Sequence, residues 1–134
     1  MGAQGSGNIR SAVFITFPGN CKAALSFYQH CFGGQLQFVF FEKEMNGCPE
    51  RPVVSGSLVS DRLVIYGSDL VPDEGRSVGN HIAVFLYCMD RQERGAFIEK
   101  LAPQDVGQMG TEADDQPLVE IIDAFEVRWI LGYR

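Results

Sequence analysis

The stretch AVFITF at 12–17 returns as AVFLYC at 83–88. Each copy runs into polar punctuation and then into a helix-like segment. A recurrence of this kind marks a duplicated unit, and it outranks local propensity when a fold is read from sequence. A unit of that size is too small to cover both faces of its own sheet, so two must share the work.

The first copy reads as follows. Ala12–Phe17 is apolar and rich in β-branched and aromatic residues, which predicts a strand. Pro18-Gly19-Asn20 breaks it, and the Asn20 side chain is suited to cap a helix N-terminus. Cys21, Ala24, Leu25, Tyr28, Cys31 and Phe32 recur at helical spacing and predict one buried stripe. Lys22, Ser26 and Gln29 fall on the water side. Gly33 can take the left-handed conformation that closes the helix. Strands follow at Gln35–Phe41, Pro52–Val59 and Leu63–Ser68. A polar loop with Gly47 and Pro49 separates the first two, and the turn Ser60-Asp61-Arg62 separates the last two. Asp69–Gly79 is rich in Pro, Gly and charge and reads as a linker, with Asp69 as a turn-former before Pro72.

The second copy opens with a strand at His81–Cys88. Asp90 and Glu93 fit a capping box. Phe97, Ile98 and Leu101 mark a helix stripe that Pro103 stops. A short strand near Gln108 comes next, then strands at Leu118–Ile122 and Val127–Gly132 joined by a turn at Asp123–Glu126. The order strand-helix-strand-strand-strand therefore occurs twice. The organisation expected is a tail at 1–10, module one at 11–69, a linker at 70–79 and module two at 80–134. The start MGAQGSG formally fits an N-myristoylation pattern, but a Gly/Ser-rich tail is the simpler reading.

The chain has 134 residues and a net charge of −6, with no Lys/Arg run, which argues against a nucleic-acid partner. No apolar stretch reaches membrane-spanning length. The cysteines are Cys21, Cys31, Cys48 and Cys88, without a C-x-x-C pair that would signal zinc or redox work. Three of them fall on apolar periodic positions, so reduced thiols in a cytoplasm are the expectation.

The phrase FPGNCKAALSFYQHCFGG near the front, the closing DAFEVRWILGY and the βαβββ duplication together resemble the vicinal oxygen chelate superfamily, which includes glyoxalase and bleomycin-resistance proteins. Within it the chain resembles the PhnB-like branch. Gly19, Asn20, Ala24, Leu25, Phe27, Tyr28, Phe32, Gly33 and Gly34 match that branch's opening phrase. Asp123, Phe125 and Trp129 match its closing D-x-F-G-x-x-W, with Glu126 in place of the Gly. The resemblance implies an α+β fold in which two βαβββ modules form a curved mixed half-barrel sheet with helices outside. It also implies a homodimer, with modules exchanged between chains in many members. Some relatives carry a 3-demethylubiquinone-9 3-methyltransferase label. No Gly-rich loop between a strand and a helix offers a nucleoside site in this chain, and no cofactor is expected.

Side chains alternate along a strand. Ile82, Val84, Leu86 and Cys88 share an apolar face that belongs under the helix. His81, Ala83, Phe85 and Tyr87 then face a cleft, and the repeat adds Phe14 and Thr16. The same register turns Val64, Tyr66 and Ser68 to the cleft, with Arg128, Ile130 and Gly132, and leaves Trp129 in the core. Such an aromatic cleft with a few polar handles suits a small organic ligand. Phe14, Thr16, Tyr66, Phe85, Tyr87 and Arg128 are the candidate binding residues. Arg128 can grip an anion or pair with Glu120 or Glu126. His81, Glu120 and Tyr66 are the candidates for proton transfer.

Metal-dependent members of the superfamily place a ligand, typically His or Glu, on each of four strands. The corresponding positions here are Ala12, Tyr66, Ala83 and Ile130. No conventional divalent site is therefore expected. The reading is a small-molecule-binding protein of unassigned activity. Its rivals are a non-catalytic drug-binding protein of the bleomycin-resistance kind and a metal-dependent lyase or dioxygenase.

Overall fold

The computed structural model describes residues 11–42, 51–70, 75–105 and 116–133. The chain divides into two compact units, Met1–Ser77 and Val78–Arg134. The expected loop with Gly47 and Pro49, and the expected strand near Gln108, lie outside the described residues.

Unit one contains strands β1 (Val13–Thr16), β2 (Gln35–Phe40), β3 (Val53–Val59) and β4 (Val64–Ser68) and helix α1 (Cys21–Phe32). The sheet order is β1-β4-β3-β2. The first strand lies parallel to the last, with Phe14 opposite Tyr66. β3 runs antiparallel to both of its neighbours. The predicted stripe of α1 is buried at Cys21, Ala24, Leu25, Tyr28 and Cys31, and Phe32 is half-buried. It packs on the sheet face that carries Leu58 and Ile65, both fully buried. Gly67 lies on that face, where an added Cβ would stand 2.9 Å from the Phe17 ring and 3.1 Å from Cys21 Sγ. Its missing side chain is what lets the helix start come so close. Gly34, at φ +107°, would put a Cβ 2.4 Å from the Val59 carbonyl oxygen. Only glycine fits the turn from α1 into β2 there.

Asn20 does not cap α1 through its side chain. Asp69 does that work from the far end of β4. Its Oδ1 accepts from the N–H groups of Gly19 at 3.0 Å and Cys21 at 2.9 Å, and its Oδ2 accepts from Val53 N–H at 2.9 Å. The expected turn-former is thus a buried clamp joining a helix start to two strands. A carboxylate at a helix N-terminus also meets the positive end of the helix dipole.

Unit two contains β5 (Val84–Cys88), α2 (Arg91–Leu101), β6 (Leu118–Ile122) and β7 (Arg128–Tyr133). The order is β5-β7-β6, so the last strand is the central one. β5 runs parallel to β7, and β6 runs antiparallel to it. Leu86, Cys88, Val119, Ile121, Trp129 and Leu131 are buried on one face, with Ile98 and Leu101 of α2. The capping box forms: Glu93 N–H donates to Asp90 Oδ1 at 2.8 Å, while Glu93 Oε1 accepts from Met89 N–H at 2.8 Å. A third helix residue is buried against expectation. Arg94 is 1% exposed, lies 4.5 Å from the Tyr133 ring centroid and donates to the carbonyls of Gln116 and Pro117. Its stem packs as an apolar group while its head satisfies backbone acceptors.

β5 begins at Val84, three residues later than the predicted strand. His81 and Ile82 therefore precede the strand, and both are exposed. Strand alternation does not fix which way they face.

Candidate functional site

Each sheet has a helix-covered face and an open one. The open face of unit one carries Phe14 and Thr16 on β1, Tyr66 on β4, Ser55 and Ser57 on β3, and Gln37 on β2; the pairing register places them together. Phe14 is 62% exposed and Tyr66 38%. Thr16 is half-buried, and its carbonyl accepts from Arg76 Nη1 at 3.2 Å. The same face also carries Val39 of β2, which is exposed opposite Ser55, so it mixes hydroxyl, amide and apolar groups and carries no formal charge at the residues named.

The open face of unit two is more apolar. Phe85 and Tyr87 project from β5, their ring centroids 6.4 Å apart and their planes 26° from parallel. They are 55% and 52% exposed. Ile130 stands opposite Phe85 on one side and Glu120 on the other. Gly132 lies opposite both Tyr87 and Leu118. A Cβ on Gly132 would meet Leu118 Cδ2 at 3.0 Å and the Phe85 ring at 3.2 Å. The absence of that carbon seats the Phe85 ring low on the sheet. Leu118 and Ile122 are about half exposed. Arg128 and Glu120 sit diagonally across β7 and β6 and form an ion pair. Arg128 Nη1 also reaches the Ile82 carbonyl at 3.4 Å.

The candidate residues therefore fall into two groups. Phe14, Thr16 and Tyr66 share the open face of unit one. Phe85, Tyr87, Arg128 and Glu120 share that of unit two. His81 stands before β5, on no sheet face.

No family profile matches the chain, and no curated protein matches its sequence. Solved structures do. Protein PA1353 from Pseudomonas aeruginosa is similar over 95% of this chain and 98% of its own, with a TM-score of 0.69 and 17% identity. The PhnB protein from Bacillus cereus is similar over 94% of this chain and all of its own, with a TM-score of 0.61 and 16% identity. An Arabidopsis thaliana gene product follows at 92% and 98% coverage, with a TM-score of 0.51 and 14% identity.

The fold is glyoxalase-like. Its two sheets are not closed. Likeness at such identities concerns fold, and function must be argued from the side chains. Tyr66 is exposed beside Phe14 on the face of unit one. Of the other positions to which the resemblance assigns metal ligands, Ala12 belongs to unit one, and Ala83 and Ile130 to unit two. Among the described residues, no group of three or more His, Cys, Asp or Glu is placed to hold a metal ion.

Two residues of the glyoxalase-like frame carry more than their sequence context suggested. Asp123 Oδ1 accepts from the N–H groups of Phe125 at 2.8 Å and Val127 at 3.1 Å, and its Oδ2 accepts from Trp129 Nε1 at 2.9 Å. The spacing of the D-x-F…W phrase is thereby explained: one carboxylate shapes the turn and orients the core indole. Cys21 is the other. Burial, with Asp69 beside it, pushes its thiol up from 9.0 to about 12. Cys21 is a packing residue and not a nucleophile.

Proposed function

We propose that this protein binds a small organic molecule on the open sheet face of unit two, with Phe85 and Tyr87 as the principal contact, and that the open face of unit one, with Phe14, Thr16 and Tyr66, is a second and separate binding surface. The observation that carries the reading is the pair of near-parallel, half-exposed rings of Phe85 and Tyr87 beside a single ion pair. Large aromatic surface on a sheet face contributes to stability only when it is covered, and a flat ligand covers it well. Binding is favoured over catalysis. The Glu120 carboxylate is committed to Arg128, and His81 lies outside the strand that would have aimed it. Tyr66 remains the group best placed to donate a proton or a hydrogen bond from the face of unit one. Homodimerisation and a cytoplasmic location belong to the same proposal. Among the described residues no helix is long and apolar enough to cross a membrane.

The test is calorimetric titration with a library of small aromatic compounds, before and after chelator treatment. A hit whose affinity drops at least about tenfold in Phe85→Ala and in Tyr87→Ala, and is unchanged by chelator, is the expected result. Stoichiometric metal in the purified protein, with binding lost on its removal, would restore the lyase or dioxygenase reading.

A further inference from the structure

The open face of unit two contains a cation and an anion, and each has the other as its partner. Arg128 and Glu120 pair across β7 and β6, and Arg128 also donates to the Ile82 carbonyl. Its side chain is only 19% exposed, against 44% for Glu120. The guanidinium fork that would otherwise grip a carboxylate or phosphate is already engaged by an internal carboxylate. The same pair spends the one negative charge that the described residues of the face hold out toward a cation. Among the described residues the rest of that face is uncharged: Phe85, Tyr87, Leu118, Ile122, Ile130 and Gly132.

Resting on the binding role proposed above, we infer that Glu120 acts as a charge lock that sets ligand class: the face takes an uncharged aromatic molecule and rejects both anionic and cationic ones. The ring lies on the Phe85–Tyr87 shelf, seated low by Gly132. A short polar arm reaches past Ile130 to the rim of the ion pair. An anionic ligand must break the Arg128–Glu120 pair or sit beside the Glu120 carboxylate, and like charges at close range are repelled. A cationic ligand gains little from a carboxylate that Arg128 already neutralises. The charge balance of the face is thus complementary to a neutral occupant.

Three indole probes of one shape separate the possibilities: tryptophol is neutral, indoleacetate anionic and tryptamine cationic. Each is titrated calorimetrically against the wild-type chain, against Glu120→Gln and against Glu120→Gln/Arg128→Gln. The wild type binds tryptophol at least about tenfold more tightly than either charged probe. Glu120→Gln, nearly isosteric, leaves the Arg128 charge unopposed and shifts the preference toward indoleacetate by about tenfold or more. The double variant returns it to tryptophol, and circular dichroism verifies that each variant is folded. Wild-type preference for indoleacetate or tryptamine overturns the charge lock and leaves the binding role standing. An unchanged preference in folded Glu120→Gln overturns it as well. If no probe binds and Phe85→Ala instead separates associated copies, the face is a contact between chains, and both the binding role and the charge lock fall.

Discussion

Single residues explain two sequence phrases that propensity alone leaves opaque. Glu126 occupies the place where the resembling branch has glycine, and it sits at φ +68°. That left-handed conformation costs a residue with a Cβ about 1–2 kcal/mol. Glu126→Gly should therefore stabilise the protein by about 1 kcal/mol in urea unfolding, the gain trimmed by the greater freedom of glycine in the unfolded chain. A destabilised Glu126→Gly variant would mean that the side chain holds the turn by its own contacts. The sequence marks Asp123 as a turn residue and as the first residue of the closing phrase, without showing what its carboxylate holds. Its bond to Trp129 Nε1 spans six positions and needed the strand pairing to become visible. His81 precedes β5, which begins at Val84, where the pattern predicts it inside the strand. The apolar run HIAVFLYC has no internal break, so nothing in it marks where pairing with β7 begins.

The elements themselves were largely readable from residue pattern. Helical spacing found α1 down to its buried face, and Asp90 with Glu93 marked the start of α2. What failed was any device whose partners are remote in sequence. Asp69 caps α1 from beyond β4, with Gly19 and Cys21 lying 50 and 48 residues away. Local propensity sees an Asp near prolines and reads a turn. The clamp makes a sharp prediction. Asp69→Ala strands the buried N–H groups of Cys21 and Val53 and the half-buried one of Gly19, and should cost about 3 kcal/mol or more in chemical unfolding. Asp69→Asn keeps one oxygen acceptor, so it should lose less than the alanine variant; equal losses would deny the carboxylate its bridging role. Arg94 was hidden likewise. An arginine on a helix reads as solvated until Tyr133 and the Gln116 and Pro117 carbonyls are brought around it.

At the scale of the whole molecule, the duplication was the most informative feature in the sequence, and both units keep its logic. In each, the opening strand pairs in parallel with the closing one, and a helix covers one face. Alternation places Phe14 with Tyr66 on one exposed face and Phe85 with Tyr87 on another, and the strand bounds and pairing agree with it there. The Arg128–Glu120 pair was one of two alternatives weighed from sequence, and only the register could choose between them. Apolar residues outside the open faces, among them Val78 and Met89, are more than half exposed. They accord with the proposed homodimer, for which light scattering after gel filtration should give twice the 14.8 kDa chain mass. A single species at the mass of one chain would remove the dimer.

The strand order of unit two has a consequence for how the protein is made. β7 follows both β5 and β6 along the chain, yet it lies between them, with β5 on one side and β6 on the other. Translation halted at the turn before Arg128 yields two strands with no common neighbour to join. In unit one β4 plays the same joining part, between β1 and β3, but it is synthesised before β5 is begun. Unit one can begin to mature while unit two is being made, whereas the three described strands of unit two can join only once β7 has emerged.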